Sequence, residues 1–171
     1  MIMKLDEQLR GGVSAPPRKI LILGVGNLLL RDDGFGVHFI NSLKDNNVFP
    51  GNITLLEAGT VSHQLIPMLH ETDFLIVIDV VDAKDKPGSL FRFSPDDMKF
   101  ASEQQVSLHQ ISLIDVLHMA ELTGKKPKTV IIGVQPKDTT SWSLELSDEL
   151  QAVLPRVKEL VLEEVRKIEA L

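Results

Sequence analysis

Hydrophobic residues along the chain fall into short, nearly continuous runs that alternate with amphipathic stretches. The run KILILGVG, residues 19–26, is rich in β-branched and leucine side chains, which is typical of a strand buried on both faces. A glycine-containing loop follows, and then Val37, Ile40 and Leu43 recur at the spacing of one helix face. The first part of the chain therefore predicts a strand, a loop and a helix in succession.

The same alternation continues through the middle of the chain. Residues 52–60, NITLLEAGT, predict a second strand, and residues 61–71 predict a short helix that Pro67 either starts or interrupts. A third, strongly apolar strand is predicted from Phe74 to about Val80. Strands that alternate with helices in this way favour a parallel sheet with right-handed crossovers.

A fourth strand of a different kind is predicted after the turn Lys-Pro-Gly at residues 86–88. The segment SLFRFS, residues 89–94, alternates apolar and polar side chains, as a half-exposed strand does. Because the connection before it is short, we expect this strand to be antiparallel and to lie at the edge of the sheet.

Two longer helices and one more buried strand complete the pattern. Ser107 and Gln110 have the spacing of a capping box, which predicts a helix from about Leu108 to about Leu122. A fifth strand is predicted within residues 129–136, and a final helix from about Asp148. The predicted buried face of the first of these helices consists of Leu113, Ile114, Leu117 and Ala120. That of the last helix consists of Leu150, Leu154, Val157, Leu160, Val161, Val165 and Ile168.

These elements predict an α/β fold: a three-layer αβα sandwich around a five-stranded, mostly parallel twisted sheet with one antiparallel edge strand. We expect the strand order 2-1-3-5 for the parallel strands, with the fourth strand at the edge. Residues 19–171 are expected to form this single domain. Residues 1–18 are polar and end in a proline-containing stretch, so we expect a flexible N-terminal tail.

Composition narrows the chemistry that such a domain could carry. The chain has no cysteine, so disulfides, thiolate metal sites and a cysteine nucleophile are excluded, and any metal must bind through oxygen and imidazole. Its net charge of −6 argues against a nucleic-acid partner. No apolar run approaches the ~18 residues of a transmembrane helix, and the N-terminus lacks the features of a signal peptide. We therefore expect a cytoplasmic protein with no membrane contact, acting as a monomer.

The loop GVGNLLLRDDGFG, residues 24–36, has two glycines of a dinucleotide-binding fingerprint, but Leu29 stands at the third position. Asp32 and Asp33 would also repel a phosphate group. The loop is therefore better suited to a cation, and a nucleotide-binding module remains the weaker interpretation. By themselves, the glycines indicate only a tight exit from the first strand, and an Asp-Asp-Gly sequence is often a simple turn.

Topology gathers polar residues beside this loop, because ligands of open parallel sheets bind beyond the carboxyl ends of the strands. Asp32 and Asp33, Asp79 at the end of the third strand and His109 at the start of the capped helix are predicted to meet there. Two carboxylates and an imidazole suit a divalent transition ion. Taken singly, Asp79 could instead be a strand-end turn acid and His109 a capping histidine. Glu57, near the end of the second strand, could flank the same rim.

Five segments of the chain, in order, resemble the nickel-iron hydrogenase maturation endopeptidases. They are ILGVGNLLLRDDGFGV, LLEAGT, LIVIDVVDAKDKPG with the SLFRF that follows it, VSLHQISLIDVL, and VIIGVQP, and together they cover residues 20–136. By this resemblance, Asp33, Asp79 and His109 would be the metal-binding and catalytic side chains, whereas Asp32 would shape the turn.

The resemblance also implies a function. Such proteins cut a short C-terminal extension from the precursor of the hydrogenase large subunit after nickel has been inserted. The three side chains would bind nickel that the precursor already holds through its cysteines, although other divalent ions could occupy the site in vitro. The ion would serve as a recognition mark or as a Lewis acid. A nickel carrier or assembly chaperone without catalytic activity would use the same ligands and is the main alternative.

Overall fold

The computed structural model describes residues 16–44, 49–59, 61–97 and 108–171. In chain order, its elements are β1 (Ile20–Val25), α1 (Phe35–Lys44), β2 (Ile53–Gly59), α2 (Ile66–Glu71), β3 (Phe74–Val80), β4 (Leu90–Phe93), α3 (Leu108–Thr123), β5 (Lys128–Val134) and α4 (Asp148–Glu169). Short 3₁₀ turns at Arg31–Gly34 and His63–Leu65 lead into α1 and α2. All five predicted strands and four predicted helices are present.

The five strands form one sheet in the order β2-β1-β3-β5-β4. The first four strands of that order are parallel, and β4 pairs with β5 in the antiparallel direction. The predicted strand order and the antiparallel edge strand are both confirmed. Gly24 lies beside Ile78 and Asp79 beside Gly133, so the carboxyl ends of β1, β3 and β5 are level. The loops that follow these strands therefore meet at one rim of the sheet, as required for a shared site.

Helices cover both faces of the sheet. Alternate residues of β1 and β3 point to opposite faces, as strand geometry dictates. One face packs against α1 and α4, and the other against α2 and α3. The predicted apolar faces of α3 and α4 lie in these two cores, either buried or packed against buried residues. The domain is thus the predicted three-layer sandwich.

Helix α1 begins directly against the sheet because Gly36 has no side chain. A Cβ atom at this position would lie 2.3 Å from the carbonyl oxygen of Ile78 and 2.4 Å from that of Val25. Real Cβ atoms do not come so close to backbone atoms, so any other residue would push the helix away from the sheet. The close contact holds the first turn of α1, and the loop before it, at the ends of β1 and β3.

An ion pair attaches the edge strand β4 to α4. Nε and Nη2 of Arg92 donate hydrogen bonds of 2.9 Å to the two carboxylate oxygens of Glu164. The Glu164 side chain is only 8% exposed, and Lys167 donates a further bond to it. The Arg92 guanidinium, and then Lys167, lower the pKa of Glu164 below its ordinary value. The bidentate geometry fixes the edge strand against the helix layer.

Some sequence-based expectations concern residues outside the described part. Ser107 of the predicted capping box and residues 1–15 of the predicted tail belong to this group. Helix α3 nevertheless begins at Leu108, where the capping pattern predicts its first turn. Among the described helices, none combines the length and the apolar character that a membrane crossing requires.

Candidate metal-binding and catalytic site

The loop after β1 folds back on itself and presents Asp33 at the rim. Gly26 makes this possible: its φ is +138°, and a Cβ atom there would lie 1.8 Å from the carbonyl oxygen of Asp33. The backbone N–H of Asn27 donates a 3.1 Å hydrogen bond to Oδ2 of Asp33. A carboxylate of the protein therefore takes the N–H group that a phosphate would need, which removes the main support for the nucleotide-binding interpretation.

Asp79 lies at the end of β3, one strand away from this loop. Its side chain is 2% exposed, and its Oδ1 accepts a 2.8 Å hydrogen bond from the N–H of Val80. Burial raises the pKa of Asp79 to about 8; the bond from Val80 opposes this shift, and the nearby charge of Asp33 adds to it. Burial, and to a lesser extent the neighbouring carboxylate, therefore favours the protonated form of this carboxyl group over its ionised form.

The imidazole of His109, in the first turn of α3, lies between these two carboxyl groups. Its Nε2 is 3.9 Å from Oδ2 of Asp33, and its Nδ1 is 3.8 Å from Oδ1 of Asp79. Both distances are too long for hydrogen bonds. The ring is 15% exposed, and its buried Nδ1 has no hydrogen-bond partner among the described residues. Three of the four residues predicted to meet at the rim, Asp33, Asp79 and His109, are thus neighbours in space.

The three side chains have the right donor atoms for a transition ion, but their donor atoms do not converge. Within residues 16–44, 49–59, 61–97 and 108–171, no group of three or more acidic or histidine side chains is arranged to hold a metal as it stands. The two nitrogens of His109 face different carboxylates, so the ring would have to turn for one nitrogen to share an ion with both. Oxygen and imidazole donors nevertheless suit a divalent transition ion. A cation would also replace the proton of Asp79 and give His109 a partner.

Asp32, the neighbour of Asp33, is a fully buried structural residue. Its Oδ2 accepts hydrogen bonds of 2.9 Å from the N–H groups of Lys137 and Asp138 and from the hydroxyl of Ser147. Its Oδ1 accepts one of 2.7 Å from the N–H of Ser147. Asp32 therefore shapes more than its own turn, because it attaches the loop after β1 to the segment between β5 and α4.

No functional role was predicted for the segment after Pro136, yet residues 137–147 form one wall of the rim. Ser143 pairs with Leu30 in a short parallel bridge. Its N–H donates to the carbonyl of Leu29 at 3.1 Å, and its carbonyl accepts from the N–H of Arg31 at 3.0 Å. Ser147, which immediately precedes the acidic first turn of α4, is a recognisable N-cap signal in the sequence. Nothing local in the sequence, however, indicates that this serine bonds to Asp32.

A cleft of about 260 Å³ opens beside Asp33, between the loops that follow β3 and β5. Asp82 and Lys137 contribute to its walls, together with the buried Gln135. The side-chain oxygen of Gln135 accepts hydrogen bonds from the N–H groups of Ala83 at 2.8 Å and of Asp85 at 3.2 Å. This amide thus holds the loop after β3 in place beside the cleft.

Glu57, which could have flanked the rim, has a structural role. Its carboxylate accepts bonds of 3.0 Å from Asn41 and Lys44 on α1, so it supports that helix instead of joining the residues at the rim. On the opposite face of the sheet, Nε2 of His70 lies 3.1 Å from the carbonyl oxygen of Ala120 and joins α2 to α3.

Comparisons with known proteins give one consistent result. Residues 37–164 match the hydrogenase maturation protease family, a range that contains Asp79 and His109 and begins shortly after Asp33. The chain is 35% identical to the hydrogenase expression/formation protein HupD of Rhodobacter capsulatus over 156 residues, which are 90% of this chain and 73% of that protein. It is 31% identical to the hydrogenase 2 maturation protease of Escherichia coli K12 over 151 residues, which are 87% and 92% of the two chains.

Solved structures agree with the sequence comparisons. The hydrogenase maturating endopeptidase HybD of E. coli superimposes with a TM-score of 0.78 at 30% identity, covering 87% of this chain and 93% of that one. The NiFe hydrogenase maturation protease HybD of Thermococcus kodakarensis gives a TM-score of 0.73 at 26% identity, covering 86% and 99%. The similarity therefore extends over the whole α/β domain and not only over the loops at the rim.

Proposed function

Since the chain belongs to the hydrogenase maturation protease family and is a processing endopeptidase, we propose that it removes a C-terminal extension from the precursor of the nickel-iron hydrogenase large subunit. The observation that carries this proposal is the position of His109 between Asp33 and Asp79, within 4 Å of both carboxyl groups. Family membership supplies the reaction, and this arrangement supplies a place where a metal-bearing substrate could be recognised.

In this proposal Asp33, Asp79 and His109 bind nickel that arrives as part of the precursor. The chain contains no cysteine, so any thiolate ligands of the ion must come from the substrate. Two features of the site favour a cation that arrives from outside: Asp79 is a buried carboxyl group beside a second one, and Nδ1 of His109 has no hydrogen-bond partner among the described residues. Three protein ligands leave coordination positions open for the precursor. The ion thereby marks a precursor whose metal centre is complete.

The residues around the site would position the scissile segment. Asp32 fixes the loop that bears Asp33, and Gln135 fixes the loop after β3, so the cleft between them is already formed before substrate binds. A bound divalent ion polarises a nearby carbonyl and activates water, which is the chemistry that peptide hydrolysis needs. The precursor chain would lie in this cleft, with its metal against the three ligands.

The test is to mix purified protein with precursor, with and without inserted nickel, and to determine the precursor's C-terminus by mass spectrometry. We expect shortening only when nickel is present. Asp33→Asn, Asp79→Asn and His109→Ala should each abolish it, whereas the exposed Asp115→Asn on the same helix as His109 should not. Precursor whose mass stays unchanged under every condition, bound to the protein in a stoichiometric complex, would overturn the endopeptidase proposal in favour of a carrier. Equal cleavage of nickel-free precursor would overturn the role of the ion.

A further inference from the structure

Three exposed apolar side chains lie on the two loops that form the rim beside Asp33. Leu29 is 50% exposed, Leu144 is 65% exposed, and Trp142, the only tryptophan of the chain, is 81% exposed. We call Leu29, Trp142 and Leu144 the apolar ledge. Leaving a tryptophan in water gives up much of the favourable free energy of its burial, so packing within the domain does not explain its presence.

The ledge is held together by backbone contacts between its two loops. Ser143, between Trp142 and Leu144, forms the parallel bridge with Leu30 and donates its N–H to the carbonyl of Leu29. The bridge places Leu29 alongside the other two members of the ledge.

Hydrogen bonds within the domain attach both loops of the ledge to each other. The buried carboxylate of Asp32 accepts four hydrogen bonds from Lys137, Asp138 and Ser147, on either side of residues 139–146. A binding surface that is already ordered loses little conformational entropy when it associates. Tryptophan is also one of the side chains, with tyrosine and arginine, that are enriched among the residues that dominate the binding energy of protein interfaces.

The ledge is continuous with the proposed metal site. The N–H of Asp33 donates a 3.0 Å hydrogen bond to the carbonyl of Leu30, which is the residue next to Leu29. The segment that carries Leu29 is therefore hydrogen-bonded directly to the residue proposed to meet the metal. The surrounding charges argue against an anionic membrane as the occupant, since Asp138, Glu145 and Asp148 lie on the same segment and the whole chain carries a net charge of −6.

We propose that the apolar ledge is the docking surface for the hydrogenase large-subunit precursor, and that it buries apolar side chains of the precursor next to its metal-bearing segment. This inference rests on the proposed function and adds the surface that selects the substrate protein. The metal site then provides discrimination between loaded and unloaded precursor, and the ledge provides affinity for the polypeptide.

The ledge is tested by steady-state cleavage of nickel-loaded precursor with Trp142→Ala, Leu144→Ala and the conservative Trp142→Phe. Leu122→Ala serves as the control, because Leu122 is 82% exposed on α3 and is not part of the ledge. We expect KM to rise at least about tenfold for Trp142→Ala, with kcat little changed, and to return most of the way for Trp142→Phe. Because these side chains are exposed, the thermal unfolding of all variants should match that of the wild type.

Direct binding to immobilised precursor separates failure of the ledge from failure of the proposed function. If the wild type cleaves and Trp142→Ala has the KM of Leu122→Ala, the ledge proposal is overturned and the endopeptidase stands. If the wild type binds without cleaving and Trp142→Ala weakens binding, the ledge stands and the endopeptidase falls. A wild type that neither binds nor cleaves overturns both. If Trp142→Ala only converts a dimer to a monomer in sedimentation, the ledge is a contact between two copies of this chain.

Discussion

The carboxylate of Asp32 holds Ser147, the residue before α4, through a 2.7 Å bond from its N–H and a 2.9 Å bond from its hydroxyl. The two residues are 115 positions apart in the sequence. The carboxylate of Asp33, the next residue, accepts a hydrogen bond from the N–H of Asn27 and faces His109. Two adjacent acids of one turn therefore differ in their contacts. Asp32 connects the loop after β1 to the start of α4, whereas the carboxylate of Asp33 faces the candidate site.

Replacing Asp32 with asparagine should destabilise the whole domain. An amide has one acceptor oxygen where the carboxylate has two. Its NH₂ group would face either the N–H groups of Lys137 and Asp138 or, in the other orientation, the N–H of Ser147. We expect the free energy of unfolding, measured in urea, to fall by about 2 to 4 kcal/mol. Asp115→Asn, at an exposed position of α3, is the matched control and should change it by less than ~0.5 kcal/mol. Equal stability of both variants would show that the four bonds contribute little.

Asp79→Asn should separate stability from activity. The substitution is nearly isosteric and removes a carboxyl group that is unfavourably buried, so thermal unfolding of the purified protein should not shift downward. Cleavage of nickel-loaded precursor should be lost, because the amide is a poor ligand for the ion. A variant that melts earlier and still cleaves would contradict both expectations and would assign Asp79 a structural role.

The ion pair between Arg92 and Glu164 should make the free energy of unfolding depend on pH in the acidic range. Folding lowers the pKa of Glu164 below its ordinary value of 4.5. The contribution of the ion pair to the free energy of unfolding is therefore fully present above pH 4.5, and it is lost as the pH falls through the lowered pKa. Arg92 is 59% exposed, which limits the expected loss for Glu164→Gln at pH 7 to about 1 to 2 kcal/mol. Urea titrations from pH 7 down to pH 3 should show this difference shrinking toward zero.

The exposed pair of Arg156 and Glu159 provides the control for that measurement. Glu159→Gln should leave the free energy of unfolding essentially unchanged at pH 7, because both side chains are in contact with water. A pH-independent difference between the wild type and Glu164→Gln would mean that packing of the Glu164 side chain, and not its charge, holds β4 to α4.

Gly36→Ala should move α1 away from the sheet. The added Cβ would meet the backbone oxygens of Ile78 and Val25. Because these are backbone atoms of the sheet, they cannot move aside as the end of a flexible side chain could. We expect a loss of about 2 to 4 kcal/mol in thermal or urea unfolding. At Gly51, a Cβ would meet no atom within 4 Å, so Gly51→Ala should be close to neutral. Equal effects of the two substitutions would show that the close contact of α1 with the sheet is dispensable.

Local patterns predicted most of the fold. Continuous apolar runs predicted β1 and β3 because both strands are buried on two faces, and alternation identified β4 as the edge strand. The strand-end rule for parallel sheets also placed Asp33, Asp79 and His109 at one rim, where the structure has them as neighbours. Their role as metal ligands stays a prediction.

The features that the sequence did not indicate depend on contacts between residues that are far apart in the chain. The wall formed by residues 137–147 has no periodic pattern, and its order comes from hydrogen bonds to Asp32 that no local rule predicts. Glu57 was similarly ambiguous, since its position after an apolar run says nothing about the partners on α1 that hold it. The orientation of the His109 ring between two carboxylates likewise depends on how α3 packs against the sheet.

The strand order also sets a sequence of events during synthesis. β4 pairs with β5 among the described strands, yet it leaves the ribosome before β5 has been made. Until residue 134 has emerged, the apolar strand β3 also has an open edge, and both strands are exposed to pairing with other chains. The nascent protein thus passes through an aggregation-prone interval that ends only when its last strand is inserted between two earlier ones.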